Sequence, residues 1–447
     1  MRNLLKKLHA RMGDFWWYSL MLFCACRAAD VLNAFVGLWL VPKYVDPSEL
    51  GAVMPLTNFA NFLALPAAAF ANTFRNEVSR LSIGREFGKL KTLMRGVFVA
   101  AAVFLFLAIV VAKFTLPLFL ERIRIVEGSL GLLIISASFV SAVCPIYSYA
   151  LQALKKFKAH AILSAIGAPV RFFAMLVTMP FRALSGYFVG QAATPVFTMV
   201  GDVFCLRREL AVPAEPYWDR NVFKRFLILF TIFAGWAATG GISGLVETTV
   251  IRQRLPDLDS AGYYMATRFS EIAAYFFYTL SFTIFPYTAD MAAKGKDMRP
   301  LILKASLASI AFGALVAAPF FFIAKPILSV LPHGAEYAAY WWVIPWCIGI
   351  SAISFPLSLY TTAEVSAQRF GFLKWLMPLD LVYPAILLFV TGYGYLVGII
   401  PESWTTFLAA HNVRTLETML WWMTAASAIK LACCLFAMTA HRPMQKQ

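Results

Sequence analysis

The chain is a succession of apolar runs of about 20 residues or more, separated by short segments that gather Lys and Arg. Each run is long enough to cross the roughly 30 Å hydrocarbon layer as a helix. Lipid offers no partner to a backbone N–H or C=O, so such a chain folds as helices or as a closed barrel, and the length of the runs selects helices. Composition agrees. Of 447 residues 60% are hydrophobic and 14% charged, where a soluble globular chain carries about 25% charged residues. A soluble enzyme and a disordered regulator are thereby excluded.

Apolar windows place spans near 15–41, 50–78, 96–119, 129–154, 158–180 and 184–206, then near 226–251, 260–289, 302–330, 337–362, 371–391 and 415–439. The expected fold class is an all-α membrane protein of about 12 transmembrane helices. Its expected domains are an N-terminal six-helix lobe over 1–206, a polar cytoplasmic linker over 207–225 and a C-terminal six-helix lobe over 226–447. The basic start, MRNLLKKLHAR, precedes an apolar segment longer than the roughly 7 to 15 residues of a signal-peptide core. It is expected to remain as the first span. The partly apolar stretch Gly392 to Asn412 is read as lying along the membrane interface.

The net charge of +16 is read through topology, and nucleic acid is not an expected partner. With the N-terminus in the cytoplasm, inside segments hold about 25 Lys and Arg against about 9 outside, as the positive-inside rule requires. Both termini are therefore placed in the cytoplasm. The seven Cys all lie in apolar stretches without metal-site spacing and read as small buried hydrophobes.

The halves resemble each other. Leu50-Gly51, Gly84-Arg85-Glu86 and Leu90 pair with Ala261-Gly262, Gly295-Lys296-Asp297 and Leu301 at an offset of about 211 residues, the mark of an internal repeat. Lys156-Phe157 likewise pairs with Arg369-Phe370, and Leu116-Pro117-Leu118 with Lys325-Pro326-Ile327. Six spans per half is an even number, so both copies insert with one orientation and are related by an axis along the membrane normal.

Ionisable groups inside spans cost about 2.5 to 3.5 kcal/mol each on insertion scales, so they mark candidate sites. Arg27 and Asp30 stand three apart in the first span, and Arg268 and Glu271 repeat that spacing in the eighth. Each pair is either a local neutralising pair or part of a site. Glu247 follows Gly240, Gly241 and Gly244 in the seventh span, which reads as a titratable group beside a hinge or as a carboxylate reaching the outer surface. Arg171 after Pro169, and Lys374 with Asp380 around Pro378, hold similar places in the two halves. Asn58, Asn61, Asn72 and Arg75 form one stripe on the second span beside an expected break at Pro66, with helix–helix packing as the plain alternative. Asp202, next to Arg207 and Arg208, reads as an ordinary helix-end charge.

Enzyme signatures are thin. The five His form no His-x-x-x-His pair and no Walker loop is present. Neither a metal, a cofactor nor catalytic residues are expected.

Two segments carry a family resemblance. The run LVPKYVDPSELGAVMPLTNFANFLALPAAAFANTFRNEVSRLSIGREFGKLKTL, Leu40 to Leu93, and SYALQALKKFKAHAILSAIGAPVRFF, Ser148 to Phe173, resemble bacterial polysaccharide flippases of the multidrug/oligosaccharidyl-lipid/polysaccharide exporter superfamily. The resemblance implies two six-helix lobes around a central cavity. It implies ion-coupled translocation of a polyprenyl-diphosphate-linked oligosaccharide across the bacterial inner membrane for cell-surface polysaccharide synthesis. Arg27, Asn61, Arg75, Arg171 and Arg268 are then the expected substrate-binding residues, guanidinium matching phosphate geometry. Asp30, Glu247, Glu271 and Asp380 are the expected ion-coupling residues. Expected partners are the lipid-linked oligosaccharide, membrane lipids and polysaccharide assembly proteins. A multidrug or metabolite antiporter of the same fold, and a non-transporting scaffold of envelope assembly, are the alternatives.

Overall fold

The computed structural model describes residues 29–125, 128–154, 156–367, 369–392 and 412–440, and among these every regular element is helical. Ten of the described helices are long and apolar enough to cross a membrane. The protein is a multi-pass membrane protein. Residues 29–44 form α1, whose middle, Val36–Leu40, is a π-helical turn. There follow α2 (Pro47–Leu50), α3 (Val53–Ile83), α4 (Phe87–Arg122), α5 (Gly128–Val143), α6 (Pro145–Ala153), α7 (Phe157–Thr178) and α8 (Ala183–Cys205). The later elements are α9 (Arg220–Arg254), α10 (Asp257–Ala293), α11 (Arg299–Val330), α12 (Gly334–Tyr337), α13 (Val343–Ser366), α14 (Leu373–Thr391) and α15 (Leu416–Ala440). Much of the first expected span and the stretch 393–411 lie outside the described residues.

Prolines act differently from the sequence expectation at two places. The helix α3 runs unbroken through Pro66, which a membrane helix tolerates when neighbouring groups take up the freed carbonyl. The expected span 129–154 is present as Leu130–Leu151, with one turn residue, Cys144, directly before Pro145 marking off α5 from the short helix α6. A proline lacks the N–H that would continue the ladder and crowds the carbonyl four residues back.

The inter-helix turns carry the repeat. Glu86 N donates to Leu81 O (3.0 Å) and Lys296 N to Met291 O (2.8 Å), with Arg85 and Gly295 at positive φ just before them. That six-to-one bond with a left-handed residue is the Schellman ending of a helix. The same bond closes a second pair of helices, Lys156 N to Leu151 O (2.9 Å) and Arg369 N to Glu364 O (2.8 Å). The second pair falls where the two halves align in sequence, and the first lies one residue out of that register, with Arg85 and not Gly84 in the place of Gly295.

Over its described residues the chain packs as two compact units, divided after 36, 55 and 241, so that 56–241 join the residues up to 36 and 37–55 join those from 242 onward. In the first unit the polar segment after α8 lies against the first unit's own helices. Glu215 N donates to Gly88 O (3.2 Å), Thr92 Oγ1 to Glu215 O (2.6 Å), and Lys91 Nζ to Val212 O (2.9 Å). Tyr217 Oη donates to Glu77 Oε2 (3.0 Å), and Trp218 stacks edge-on against Phe74 and Phe226. The Phe226 and Phe74 rings are 4.3 Å apart, so burial of aromatic area holds the start of α9 to this unit. The segment expected to be a linker is thus a docked strap.

In the second unit residues 37–55 are held by Arg252, whose side chain is 2% exposed. Its guanidinium donates to Asp257 Oδ1 (2.9 Å) and to Ser48 O (2.7 Å). Close packing supports the pair, since a Cβ on Gly51 would stand 2.5 Å from Ser260 Cβ. Small residues do similar work between α7 and α8, where Gly186 and Gly190 form a G-x-x-x-G face. A Cβ on Gly186 would lie 2.5 Å from Met179 N.

Gly186→Val is expected to lower stability by about 3 kcal/mol, the upper range for forcing volume into a packed site. Gly240→Ala, with nothing within 4 Å of the added carbon, is expected to be neutral or to stabilise by up to about 1 kcal/mol through helix propensity. Melting of the two purified variants in one detergent checks the contrast. Arg252→Met is expected to leave 45–50 open to proteolysis, because the Ser48 carbonyl and the Asp257 carboxylate lose their shared donor.

Candidate functional site

The richest constellation of ionisable side chains within described spans lies inside the second unit, on α9, α10, α14 and α15. Glu247, on α9 after the Gly240-Gly241 and Gly244 stretch, accepts hydrogen bonds on both carboxylate oxygens. Tyr263 Oη of α10 donates to Oε1 (3.2 Å) and Tyr383 Oη of α14 to Oε2 (3.3 Å). The expectation that Glu247 reaches the outer surface is not met, because two phenols hold it inside the unit. Tyr383 follows Asp380 by three residues on α14, so the two share a helix face. Asp380 is 11% exposed and pairs with Lys430 of α15, Nζ to Oδ1 2.7 Å.

Two carboxylates, one ammonium and two phenols therefore meet in spans that are otherwise apolar. The phenols stabilise a carboxylate without adding charge. Beside them, a crevice between α14 and α15 is lined by Tyr383, Ile386, Trp422, Ala426 and Lys430. Lys430 was missed in the sequence reading. Its signal is there in SAIKLACC, a lone cation in the middle of the last span. Helix α15 is joined to α13 by Trp346 Nε1 to Thr424 Oγ1 (2.9 Å) and Ser354 Oγ to Ser427 Oγ (3.1 Å), which fixes the face that carries Lys430.

The other sequence candidates fall in separate places. Arg268 Nη1 donates to both oxygens of Glu271 (2.9 and 2.8 Å), the local i,i+3 pair, and its guanidinium lies 4.7 Å from the Tyr264 ring centroid. Gly37 gives Arg268 its room, since a Cβ there would be 3.0 Å from Arg268 Cδ. In the first unit Arg171 donates from Nη1 to Asn33 Oδ1 (3.1 Å), joining α7 to α1. Asp30 is half-buried one turn before Asn33 on α1. An apolar crevice with Leu32, Phe35, Ala165, Ala168 and Pro169 adjoins this pair. Asn61 is exposed on α3, as is Lys374 on α14. Arg27 lies outside the described residues. Arg75 and Asn72 are on α3, their side chains outside the described set.

Asp202 departs from its expected role as a surface helix-end charge. It is fully buried and lies 2.5 Å from the Ser148 hydroxyl. Arg207, expected to balance it, instead places its guanidinium 4.4 Å from the Phe204 ring centroid. The five described Cys are free thiols, Cys144, Cys347 and Cys434 buried and Cys205 and Cys433 partly so.

No family model matches the sequence and no curated protein does. Solved structures match over nearly the whole chain. A multidrug resistance MATE family transporter of the MOP superfamily, in its inward-facing conformation, superposes with a TM-score of 0.68 at 10% identity, over 92% of this chain and 95% of that one. The lipid II flippase MurJ, inward closed, gives 0.60 at 12% identity, over 94% and 86%. A point mutant of the Vibrio cholerae MATE transporter VcmN gives 0.59 at 14% identity, over 98% and 97%. This chain therefore has the all-helical membrane fold that MATE transporters share with the MurJ flippase.

Proposed function

We propose that the protein is an ion-coupled flippase of the bacterial inner membrane, both termini cytoplasmic. It moves a polyprenyl-diphosphate-linked oligosaccharide between leaflets for cell-surface polysaccharide synthesis. The observation that carries the coupling is the cluster Glu247, Tyr263, Tyr383, Asp380 and Lys430 within otherwise apolar spans. With both acids ionised and Lys430 protonated, the cluster bears one net negative charge. One proton or one monovalent cation completes it, and a group of this kind is costly in a bilayer unless it serves a cycle of binding and release.

The anionic cargo is supported by the embedded cations. Arg171 is half-buried in the first unit and Arg268 keeps its guanidinium against a tyrosine ring. Guanidinium forks suit a diphosphate, while a site for cationic drugs calls for acidic and aromatic walls. Asp30 and Glu271 serve in this reading, with Glu247 and Asp380, as ion-coupling carboxylates, Glu271 by holding and releasing Arg268. Membrane lipids are its surroundings, and the enzymes of polysaccharide assembly are its expected partners.

Cells with and without the gene, treated with an impermeant probe for lipid-linked oligosaccharide, test the cargo. Loss of the gene is expected to leave the lipid on the cytoplasmic face; unchanged sidedness favours a small-molecule antiporter or a scaffold. In proteoliposomes Glu247→Gln is expected to reduce gradient-driven flipping at least about tenfold, a loss near 1.4 kcal/mol. Lys430→Met should destabilise the protein by about 3 kcal/mol, because a buried carboxylate loses its counterion, and Lys430→Met with Asp380→Asn should recover most of that loss. Thermal melting of the three proteins reads this coupling directly.

A further inference from the structure

Asp202 belongs to the first unit, apart from the Glu247 constellation, and occupies the last turn of α8. Its Oδ2 meets the Ser148 hydroxyl on α6 at 2.5 Å, the short end of O–H···O distances. Its Oδ1 is buried without a hydrogen-bond partner among the described residues. The cations of this region have other partners or lie exposed, and the exposed Arg95 of α4 acts on Tyr147, next to Ser148. Lys156 Nζ bonds Cys205 O (2.9 Å) and Glu209 Oε1 (2.6 Å), Arg207 lies over Phe204, and Arg208 is exposed. Burial pulls the Glu209 carboxyl up, but the Lys156 hydrogen bond, a backbone hydrogen bond and the charges of Lys156 and Arg208 together outweigh it, so that Glu209 sits below the usual carboxylate value and balances Lys156.

The helices packed on α8 are α5, α6 and α7. Helix α5 carries no ionisable residue. Cys144 stands at the α5–α6 turn with its Sγ 3.6 Å from Met199 Sδ, and Tyr147 and Tyr149 flank Ser148. At the start of α7 are Lys158, which is exposed, and His160, which is half-buried. An anion at Asp202 would face the negative end of its own helix dipole and have a single hydroxyl for solvation. A neutral carboxylic acid removes both costs.

We propose that Asp202 and Ser148 form a proton-binding site that clasps the short helix α6 to α8. The turn residue Cys144 and Pro145, which has no N–H for the ladder, mark the weakest point of this span, so α6 is the element that responds. Ionising Asp202 calls water or a cation into the site and loosens α6. Lys156, Lys158, Arg207 and Arg208 crowd the same helix ends, the side placed in the cytoplasm by charge, and the clasp thus senses cytoplasmic pH.

The test uses the full-length protein in lipid nanodiscs. Infrared difference spectra at neutral pH are expected to contain a protonated-carboxyl stretch that Asp202→Asn removes and Ser148→Ala shifts. A wild-type spectrum unchanged by Asp202→Asn would overturn the proposal. Where Asp202→Asn fails to fold, Ser148→Ala decides it, since an unshifted band means that the hydroxyl does not bind the acid. With Cys144 as the single cysteine, alkylation is expected to rise more steeply with pH in the wild-type background than in Asp202→Asn. Equal slopes would refute the clasp.

Discussion

Charge inside hydrocarbon has to be answered within the protein, because lipid supplies neither counterion nor hydrogen bond. That demand organises each unit. In the second unit Lys430 answers Asp380, two tyrosines answer Glu247, and Arg252 is spent on Asp257 and the Ser48 carbonyl. In the first unit Arg171 reaches Asn33, and Asp202 reaches Ser148. These links tie helices that are far apart in sequence, and they leave the remaining helix surface apolar for lipid.

Helix packing then needs no hydrophobic force, only close approach. Small residues provide it. Gly190 admits Met175, Gly201 admits Leu163 and Gly313 admits Ala352, each where an added carbon would overlap a neighbour. Proline has a different part, since most of the internal prolines are absorbed by continuous helices and Pro145 alone directly follows a turn residue within a described span. The outcome depends on which neighbour takes the freed carbonyl, and that is a property of packing.

The docked strap changes how the chain is divided. Polar composition in 207–225 suggests a tether, yet backbone and side-chain bonds to Gly88, Thr92, Lys91 and Glu77 bind it to the first unit, with Phe226 and Trp218 sealing it. The first unit consequently extends into α9, to Gly241, while residues 37–55 pack with the second. A boundary drawn from hydropathy follows the ends of spans. Packing follows contacts, which ignore those ends.

Helix identity and approximate span ends were legible in the sequence, because twenty apolar residues in lipid leave the backbone one way to satisfy its own groups. The repeat was legible too, through Lys156 and Arg369, which follow two helix ends closed by the same bond, whereas the Gly84–Gly295 match is one residue off the turn, where Arg85 takes the left-handed position. Glu247 and Asp380 stood out as embedded acids. Their meeting through Tyr383 and Lys430, the burial of Asp202 against Ser148, and the local pairing of Arg268 with Glu271 were decided by the tertiary structure. A hydropathy pattern sets how deep a side chain lies, whereas its partner depends on the rotation of each helix about its axis, and only packing against other helices determines that rotation.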